Sequence, residues 1–207
     1  MLKERSIKTL PLDGGVQPFH LVNTVHAWRG ENLHEYLNNY ADVLAWCDKV
    51  RLLKKEEIRQ LKAAADAQPA AAEKAFQKII QSRGLLYHFF SALAAANKAA
   101  LEQMLVPFNK QVHEALEHFL WTPTKNGLQF VHENDTPLLL PLWMVLKSAH
   151  DILLTADPAR IKECPRCGWI FLDTTKNGKR RWCHPQGCGS IEKSKRYYHK
   201  KVKAAHS

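Results

Sequence analysis

Four cysteines near the C-terminus limit how this chain can fold more than any other feature of its sequence. They fall in two pairs, Cys164-x2-Cys167 and Cys183-x4-Cys188, with fifteen residues between the pairs. A disulfide between Cys183 and Cys188 would leave the upstream run C-P-R-C-G unexplained, and a thioredoxin-like redox motif would need a βαβ context that the sequence lacks. Metal binding is therefore the interpretation that accounts for both pairs.

The start of the chain bears on the state of these thiols. MLKERSIKTL has no apolar block followed by a small-residue cleavage site, and no run approaches the roughly 18 apolar residues that span a bilayer. We therefore expect a cytoplasmic protein with no membrane partner, in which thiols remain reduced. The fifth cysteine, Cys47, lies in ADVLAWCDKV at a spacing typical of the apolar side of a helix, which favours a plain buried thiol.

The donor set indicates which metal is bound. Thiolates are soft ligands, and four of them complete the tetrahedral shell of Zn2+ without leaving a position for a substrate. The pattern predicts one structural Zn2+ held by Cys164, Cys167, Cys183 and Cys188. Between the pairs, two β-like runs flank Asn177-Gly178, which predicts a hairpin that brings the pairs together. A unit of about 40 to 50 residues buries too little apolar surface to fold alone, so the metal should supply much of its stability.

Positive charge is concentrated in the same part of the chain. Residues 1–158 carry 17 Lys+Arg and 17 Asp+Glu, whereas residues 159–207 carry 13 and 3, so all of the net +10 lies in the second segment. A neutral body with a basic end predicts two domains, 1–158 and 159–207, of which the second faces a polyanion.

Hydrophobic periodicity predicts that the first domain is mainly α. Helices are expected over residues 31–53, 54–66, 69–98, 99–120 and 141–155. A capping box of Asn32 and Glu35 should start the first helix, and Pro107 should end or kink the fourth. In FLWTPTKNGLQFVHEN, β-formers flank Asn126-Gly127, which predicts a small β-hairpin. Asp157-Pro158 marks the exit from this domain.

The sequence after the last cysteine, GSIEKSKRYYHKKVKAA, has the period of a helix with two distinct sides. Ile191, Ser194, Tyr198 and Val202 share the side that is expected to pack, and cations occupy the opposite side. A zinc knuckle and hairpin that lead into such a helix form a treble-clef-like architecture. The cations of the hairpin and helix are expected to bind nucleic-acid phosphates. They are Lys179, Arg180, Arg181, Lys193, Arg196, Lys200 and Lys203.

The same features admit a second class of function. Zinc knuckles also serve as protein-interaction modules, and Trp182, Tyr197 or Tyr198 could stack on the bases of a single strand. A zinc-stapled protein-interaction or RNA-associated module is therefore the alternative. An enzyme is not expected, because the sequence has no phosphate-cradling glycine loop, no nucleophile elbow and no His-Glu metal motif.

The run from Cys164 to Gly189 resembles the CGNR zinc finger, a bacterial module named after the residues at its last cysteine. The likeness covers residues 160 to about 202. Besides both cysteine pairs it includes Trp169, Phe171, Asp173, Arg180, Arg181, Trp182, Lys193, Arg196 and Tyr197. Where the family has Cys-Gly-Asn-Arg, this chain has Cys188-Gly189-Ser190-Ile191. The metal ligand is kept, but an arginine that could contact a base or a phosphate is absent.

Proteins with this finger carry an N-terminal, mostly helical ABATE domain, and the stretch PFHLVNTVHAWRGENLHEYL is similar to the start of that domain. Asn23-Thr24 falls within this stretch, and Arg83 and Asn109 also fit the pattern. The resemblance implies a stress-responsive transcription regulator whose zinc finger binds double-stranded DNA.

A neutral helical domain joined to a DNA-binding finger suggests regulation by a small-molecule effector or by homodimerisation. Buried polar groups need partners, and a ligand can supply them. The candidate pocket residues are Asn23, Thr24, His26, Trp28 and Arg83. Alternatively, Asn23 caps a turn and Arg83 pairs with a carboxylate. A homodimer would present two fingers to a paired half-site.

Overall fold

A computed structural model of the chain describes residues 6–29, 34–125, 127–133 and 137–205, with the backbone alone at residues 200 and 202–205. The described helices are α1 (Gln17–Val22), α2 (Tyr40–Lys49), α3 (Lys55–Ala67), α4 (Pro69–Ala94), α5 (Lys98–Leu116), α6 (Leu140–Thr155) and α7 (Ser190–Ala205). The strands are β1 (Phe119–Thr124), β2 (Gly127–His132), β3 (Ile161–Glu163) and β4 (Ile170–Leu172). Short 3-10 turns span Ile7–Thr9 and Pro158–Arg160, and a π-helical turn spans Pro185–Gly189. The chain is mainly α, as its periodicity predicts.

The longest helix, α4, forms the centre of the fold. Pro69 occupies its first turn, where the missing N–H has no helical partner to lose. Its apolar side packs against α1 and α5. Phe90 meets Phe19 of α1 edge-on at 4.8 Å between ring centroids, and Phe89 stacks on Phe108 of α5 at 3.9 Å. None of the described helices is long and apolar enough to cross a membrane.

The first predicted helix begins later than its capping pattern suggests. α2 starts at Tyr40, and the side chain of Asn39 caps it by accepting a hydrogen bond from a backbone N–H of the first turn. Asn32 lies outside the described residues, and Glu35 sits in an isolated β-bridge instead of a helix. The predicted start is therefore wrong. The carboxylate of Glu35 is instead used in a tertiary contact with α4.

The boundary between α4 and α5 also differs from the prediction. α4 ends at Ala94, Ala96 adopts a positive φ of 50°, and Asn97 caps α5 by accepting from Ala100 N at 3.1 Å. α5 then runs through Pro107, so of the two predicted effects of this proline, ending or kinking the helix, the first is wrong. Proline removes one backbone hydrogen bond, and the packing of α5 against α4 and α6 compensates for that loss.

Three local predictions are confirmed by the structure. β1 and β2 pair antiparallel with Thr124 opposite Gly127, whose φ of +123° suits glycine. α6 occupies the range expected for the last helix of the first domain. Cys47 is fully buried in α2, and burial raises the pKa of its thiol, so it is a structural residue outside the metal centre.

The hairpin of the finger closes around a different turn from the one predicted. β3 and β4 pair antiparallel across the first cysteine pair, with Ile161 opposite Leu172. The run before Asn177-Gly178 is a strand, as predicted, but none of the described residues after this turn forms one, so the prediction of a strand there is wrong. The residues beyond the turn bond to buried side chains rather than to a neighbouring strand.

The C-terminal helix lies where the periodicity predicts, but its apolar side is not packed. Ile191 is 45% exposed and Tyr198 is 71% exposed, and the side chain of Val202 lies outside the described residues. The prediction of a packed side is therefore wrong for Ile191 and Tyr198. At the start of α7, Glu192 forms an ion pair of 2.7 Å with Arg166 of the finger, and the described side chains from Lys193 to His199 are exposed.

Candidate metal centre and nucleic-acid interface

The first cysteine pair is shaped by a tight backbone turn. Cys164 N donates to Trp169 O at 2.8 Å, and Gly168 N donates back to Cys164 O at 2.9 Å. Gly168 has a φ of +76°, and a Cβ at this position would come within 2.9 Å of Trp28 Cβ. Trp28 N in turn donates to Cys167 O at 2.8 Å. Glycine is required here because the knuckle lies directly against the helical part of the chain.

The second cysteine pair is held by the π-helical turn and by one arginine. The guanidinium of Arg180 donates to Trp182 O at 2.9 Å, to Cys183 O and to Asp13 O at 3.5 Å. It also lies over the ring of Phe171, 4.6 Å from the centroid. Arg180 therefore fixes the backbone that presents Cys183.

The four cysteine sulfurs converge on one point. All four Sγ atoms lie within 4.8 Å of one another, with 3.5 Å from Cys167 to Cys183 and 3.7 Å from Cys183 to Cys188. Zn–S bonds of about 2.3 Å in a tetrahedron give S–S distances of about 3.8 Å, so the arrangement fits the ion. Cys164 and Cys183 are buried, and no other side chain is needed to complete the shell. The four cysteines bind one structural zinc ion.

A buried carboxylate organises the loop between the two pairs. Asp173 is 1% exposed and accepts from Lys162 Nζ at 2.7 Å, from Thr175 N at 3.0 Å and from Arg180 N at 2.9 Å. Burial alone would raise the pKa of this carboxyl. The hydrogen bonds from Lys162, Thr175 and Arg180 outweigh burial and hold the pKa below its usual range. Asp173 is thus ionised and serves as the anchor of the loop.

The finger is docked on the helical part through its first strands. The side-chain amide of Asn23 donates to Ile170 O at 2.8 Å and accepts from Ile170 N at 3.1 Å. The amide thus makes the two hydrogen bonds that a residue of a neighbouring strand would make. Trp169 Nε1 donates to Val25 O at 2.7 Å. Trp169, Ile170 and Phe171 are buried in the same apolar cluster as the helices. The two parts therefore share one continuous core.

The five predicted pocket residues lie near this contact, and most of their polar groups bond within the chain, whereas Arg83 Nε is buried with no hydrogen-bond partner among the described residues. Arg83 is buried and forms a two-point ion pair with Glu35 at 2.7 and 2.5 Å. It also donates to Thr24 Oγ1 at 2.8 Å. Trp28 donates to Val22 O and stacks on Tyr87. Asn23 bonds to the finger, as described above. Of the five, His26 lines a cleft beside the zinc centre.

The predicted phosphate contacts fall into three groups. Lys179, Arg181, Lys193 and Arg196 are exposed on the finger and on α7. Arg180 is half-buried, and its donors point to backbone carbonyls. The side chains of Lys200 and Lys203 lie outside the described residues. The first group is therefore exposed to solvent, with Arg196 Nε also donating to Glu192 O at 3.4 Å.

Two family models match the chain over nearly its whole length. The model described as "Putative stress-induced transcription regulator", ABATE, matches residues 18–156. The chain belongs to the ABATE family. The model of the CGNR zinc finger matches residues 160–201, which contain the zinc centre and most of α7. No curated protein matches the chain. The ABATE chain described here thus combines a regulator-type helical part with a zinc finger, and neither description is that of an enzyme.

Several residues that shape the site of this ABATE protein were not predicted from its sequence. Gly168 and Arg166 lie in the first knuckle motif, C-P-R-C-G, from which only the cysteines were predicted to have a role. The glycine in the run C-G-W could have indicated a backbone position with a positive φ, because glycine adopts such a φ at no steric cost. The contacts of Asn23 with Ile170 and of Glu35 with Arg83 join residues 147 and 48 positions apart, and no local pattern encodes them.

Proposed function

We propose that this ABATE protein is a transcription regulator that binds double-stranded DNA through its zinc finger and α7. The observation that carries this proposal is the exposure of α7. It follows the zinc centre directly, its side chains from Lys193 to His199 are exposed, and its six Lys+Arg and one Glu give half of the net +10 of the last 49 residues.

The dimensions of α7 suit the major groove of B-form DNA. A helix of 16 residues is about 24 Å long and about 10 to 12 Å wide, and the groove is about 12 Å wide. Lys193 and Arg196 on one side can meet phosphates while Tyr198 faces the base edges. Arg181 and Lys179 on the finger extend the cationic surface to the neighbouring backbone. Because Ile191 replaces the family's arginine, backbone contacts should dominate the affinity.

The helical part supplies regulation in this proposal, and no catalytic step is assigned to it. It shares a core with the finger, so a change in its shape reaches the zinc centre through Asn23 and Trp28. A small-molecule effector and a homodimer are both compatible with that role. A homodimer would place two fingers on a two-fold symmetric site.

The test is a selection from a random duplex pool with the zinc-loaded, full-length protein at physiological salt. An enriched motif supports a sequence-selective regulator, and a two-fold symmetric motif supports a dimer. The affinity for the selected duplex should then fall as salt rises, with a slope of about −0.9 for each phosphate contacted. Arg196→Ala should make this slope shallower by about 1, whereas Lys62→Ala on α3 should not. Duplex binding that ignores salt would contradict the proposal.

A second candidate is binding of single-stranded nucleic acid, favoured by two exposed aromatic rings. Tyr197 and Tyr198 are 66% and 71% exposed, and Lys201 lies 5.7 Å from the ring centroid of Tyr197. Each base stacked on such a ring contributes about 1 to 3 kcal/mol. A single strand that competes better than the duplex, together with a loss of that preference in Tyr198→Ala, would favour this candidate.

A further inference from the structure

A cleft of about 1030 Å3 separates the zinc finger from the helical part. One wall is formed by residues that precede α2, among them Pro11, Asp13 and Arg29. The other wall is formed by both cysteine knuckles and the first turns of α7. Small-molecule sites are concave and commonly occupy about 300 to 1,000 Å3, and they occur preferentially between domains. The cleft therefore has the size and the position of a ligand site.

The floor of the cleft is apolar and aromatic. Trp169, which is 4% exposed, and Trp182, which is half-buried, both line the cleft. Pro165 and Ile191 add aliphatic surface on the finger side. Ile191 lies at the position of the family's arginine and contributes a side chain that is 45% exposed. A flat apolar group would be covered on two sides here.

Two cations that line the cleft have no carboxylate partner among the described residues. Glu192 is paired with Arg166 at 2.7 Å, and Asp13 faces His184 at 3.2 Å. Arg181 and Lys195 also line the cleft, and none of the described residues places a carboxylate within ion-pairing distance of either. Both side chains are exposed, whereas the zinc thiolates, with a formal charge of −2 for the loaded centre, lie deeper. Anionic groups are therefore favoured at the rim and not at the floor.

We propose that this cleft binds a small amphiphilic organic acid. Its flat apolar body lies against Trp182, Pro165 and Ile191, and its acidic group is bound by Lys195 and Arg181. The ligand would contact the helical part and α7 at the same time. Its effect on the DNA-binding helix rests on the proposed function, whereas its binding does not.

The test uses two dyes that differ only in charge. Anilinonaphthalene sulfonate has a flat apolar body and a sulfonate, and phenylnaphthylamine has the same body without the sulfonate. Each is titrated into the zinc-loaded, full-length protein in the absence of DNA, with fluorescence and calorimetry as readouts. The variants are Lys195→Gln, which removes a rim cation, and Lys201→Gln, which removes the same charge from the same helix outside the cleft.

We expect one saturable site for the sulfonate dye. Lys195→Gln should weaken its binding about 10-fold, because a charge-assisted hydrogen bond is lost, while Lys201→Gln should change it by less than about 2-fold. The uncharged dye should bind both variants equally. Ile191→Asn, at an exposed position that tolerates a polar side chain, should weaken both dyes.

Three outcomes would overturn the proposal. They are the absence of saturable binding, an equal effect of the two lysine variants, and insensitivity of both dyes to Ile191→Asn. Since no DNA is present, these results are independent of the duplex selection. The cleft can fail as a site while DNA binding stands, and the reverse also holds.

Discussion

Neighbouring residues of the finger have opposite environments, which shows how little a side chain's type says about its role. Arg180 and Arg181 are adjacent and chemically identical. The guanidinium of Arg180 is directed inward to the carbonyls of Trp182 and Cys183, whereas Arg181 is exposed and lies 5.1 Å from the ring centroid of Trp182. The first should stabilise the zinc centre, and the second should be available to a phosphate.

The two arginines can be separated by parallel substitutions. Arg180→Ala should lower the free energy of unfolding of the finger by about 2 to 3 kcal/mol, because charge-assisted bonds to backbone carbonyls are lost. Arg181→Ala should change stability by less than about 0.5 kcal/mol and should weaken duplex binding. Urea denaturation and zinc release to a competing chelator measure the first effect, and the salt dependence of DNA affinity measures the second. A loss of stability in Arg181→Ala and a loss of DNA affinity alone in Arg180→Ala would contradict these assignments.

The anchor carboxylate gives a second prediction at this scale. Asp173→Asn breaks a buried pair with Lys162 and should cost about 3 to 5 kcal/mol. The pKa of Asp173 is lowered in the folded state, so its contribution is complete above the ordinary carboxyl pKa of about 4 and is lost only as pH falls further. The cost should therefore be the same from about pH 6 to about pH 8. Asp66→Asn, at an exposed position in α3, is the control in urea denaturation, and an equal cost there would contradict the anchor role.

At the level of elements, the first knuckle can pack close to Trp28 and α4 because residue 168 is a glycine. Gly168 lets the knuckle approach Trp28, which stacks on Tyr87 of α4 with ring centroids 4.0 Å apart. The ion pair of Arg29 with Glu163 and the bond from Ser91 to Glu163 add polar contacts at the same place. The knuckle is thus positioned by α4 as well as by zinc.

A pair of glycine substitutions tests this contact. Gly168→Ala should destabilise the protein by at least about 2 kcal/mol, because the backbone has a positive φ and the new Cβ would clash with Trp28. Gly84→Ala, inside α4 with open space around it, should stabilise the protein by up to about 1 kcal/mol. Chemical denaturation gives both values. A neutral Gly168→Ala would mean that the knuckle can move away from α4 at little cost.

At the scale of the whole molecule, the shared core determines what happens when zinc is removed. The sequence predicts that residues 159–207 unfold alone. In the structure, Trp169 and Ile170 form hydrogen bonds with Val25 and Asn23 of the helical part. Unfolding of the finger breaks these bonds, so the backbone amides around Asn23 should also lose protection against hydrogen exchange.

Chelation followed by hydrogen exchange tests this prediction. The amides of residues 161–190 and of the neighbouring 17–28 should exchange faster without zinc, while those of α4 and α5 should keep most of their protection. Cys167→Ser should give the same pattern, and Cys47→Ser, at the buried thiol of α2, should not. Unchanged exchange in the finger would show that zinc is not needed for its fold, and uniform loss throughout would show one cooperative unit.

The features that could be predicted from the sequence are those that depend on local chemistry. The spacing of four cysteines specifies a zinc centre, Asn-Gly between β-formers specifies the β1–β2 hairpin, and three- and four-residue apolar steps specify most helices. The partition of charge along the chain also follows from sequence alone. Each of these signals acts between residues close in the chain, or through the strong preference of thiolates for zinc.

Which polar groups bond within the chain, and which remain exposed to solvent, could be read only from the packed structure. Arg83 and Glu35 pair across the fold, Asn23 serves the finger rather than a turn, and the apolar side of α7 stays exposed. These outcomes depend on distances between segments far apart in sequence, and hydrophobic period cannot encode them. The period shows that a helix has an apolar side, but only the packed chain shows whether any surface is present to cover it.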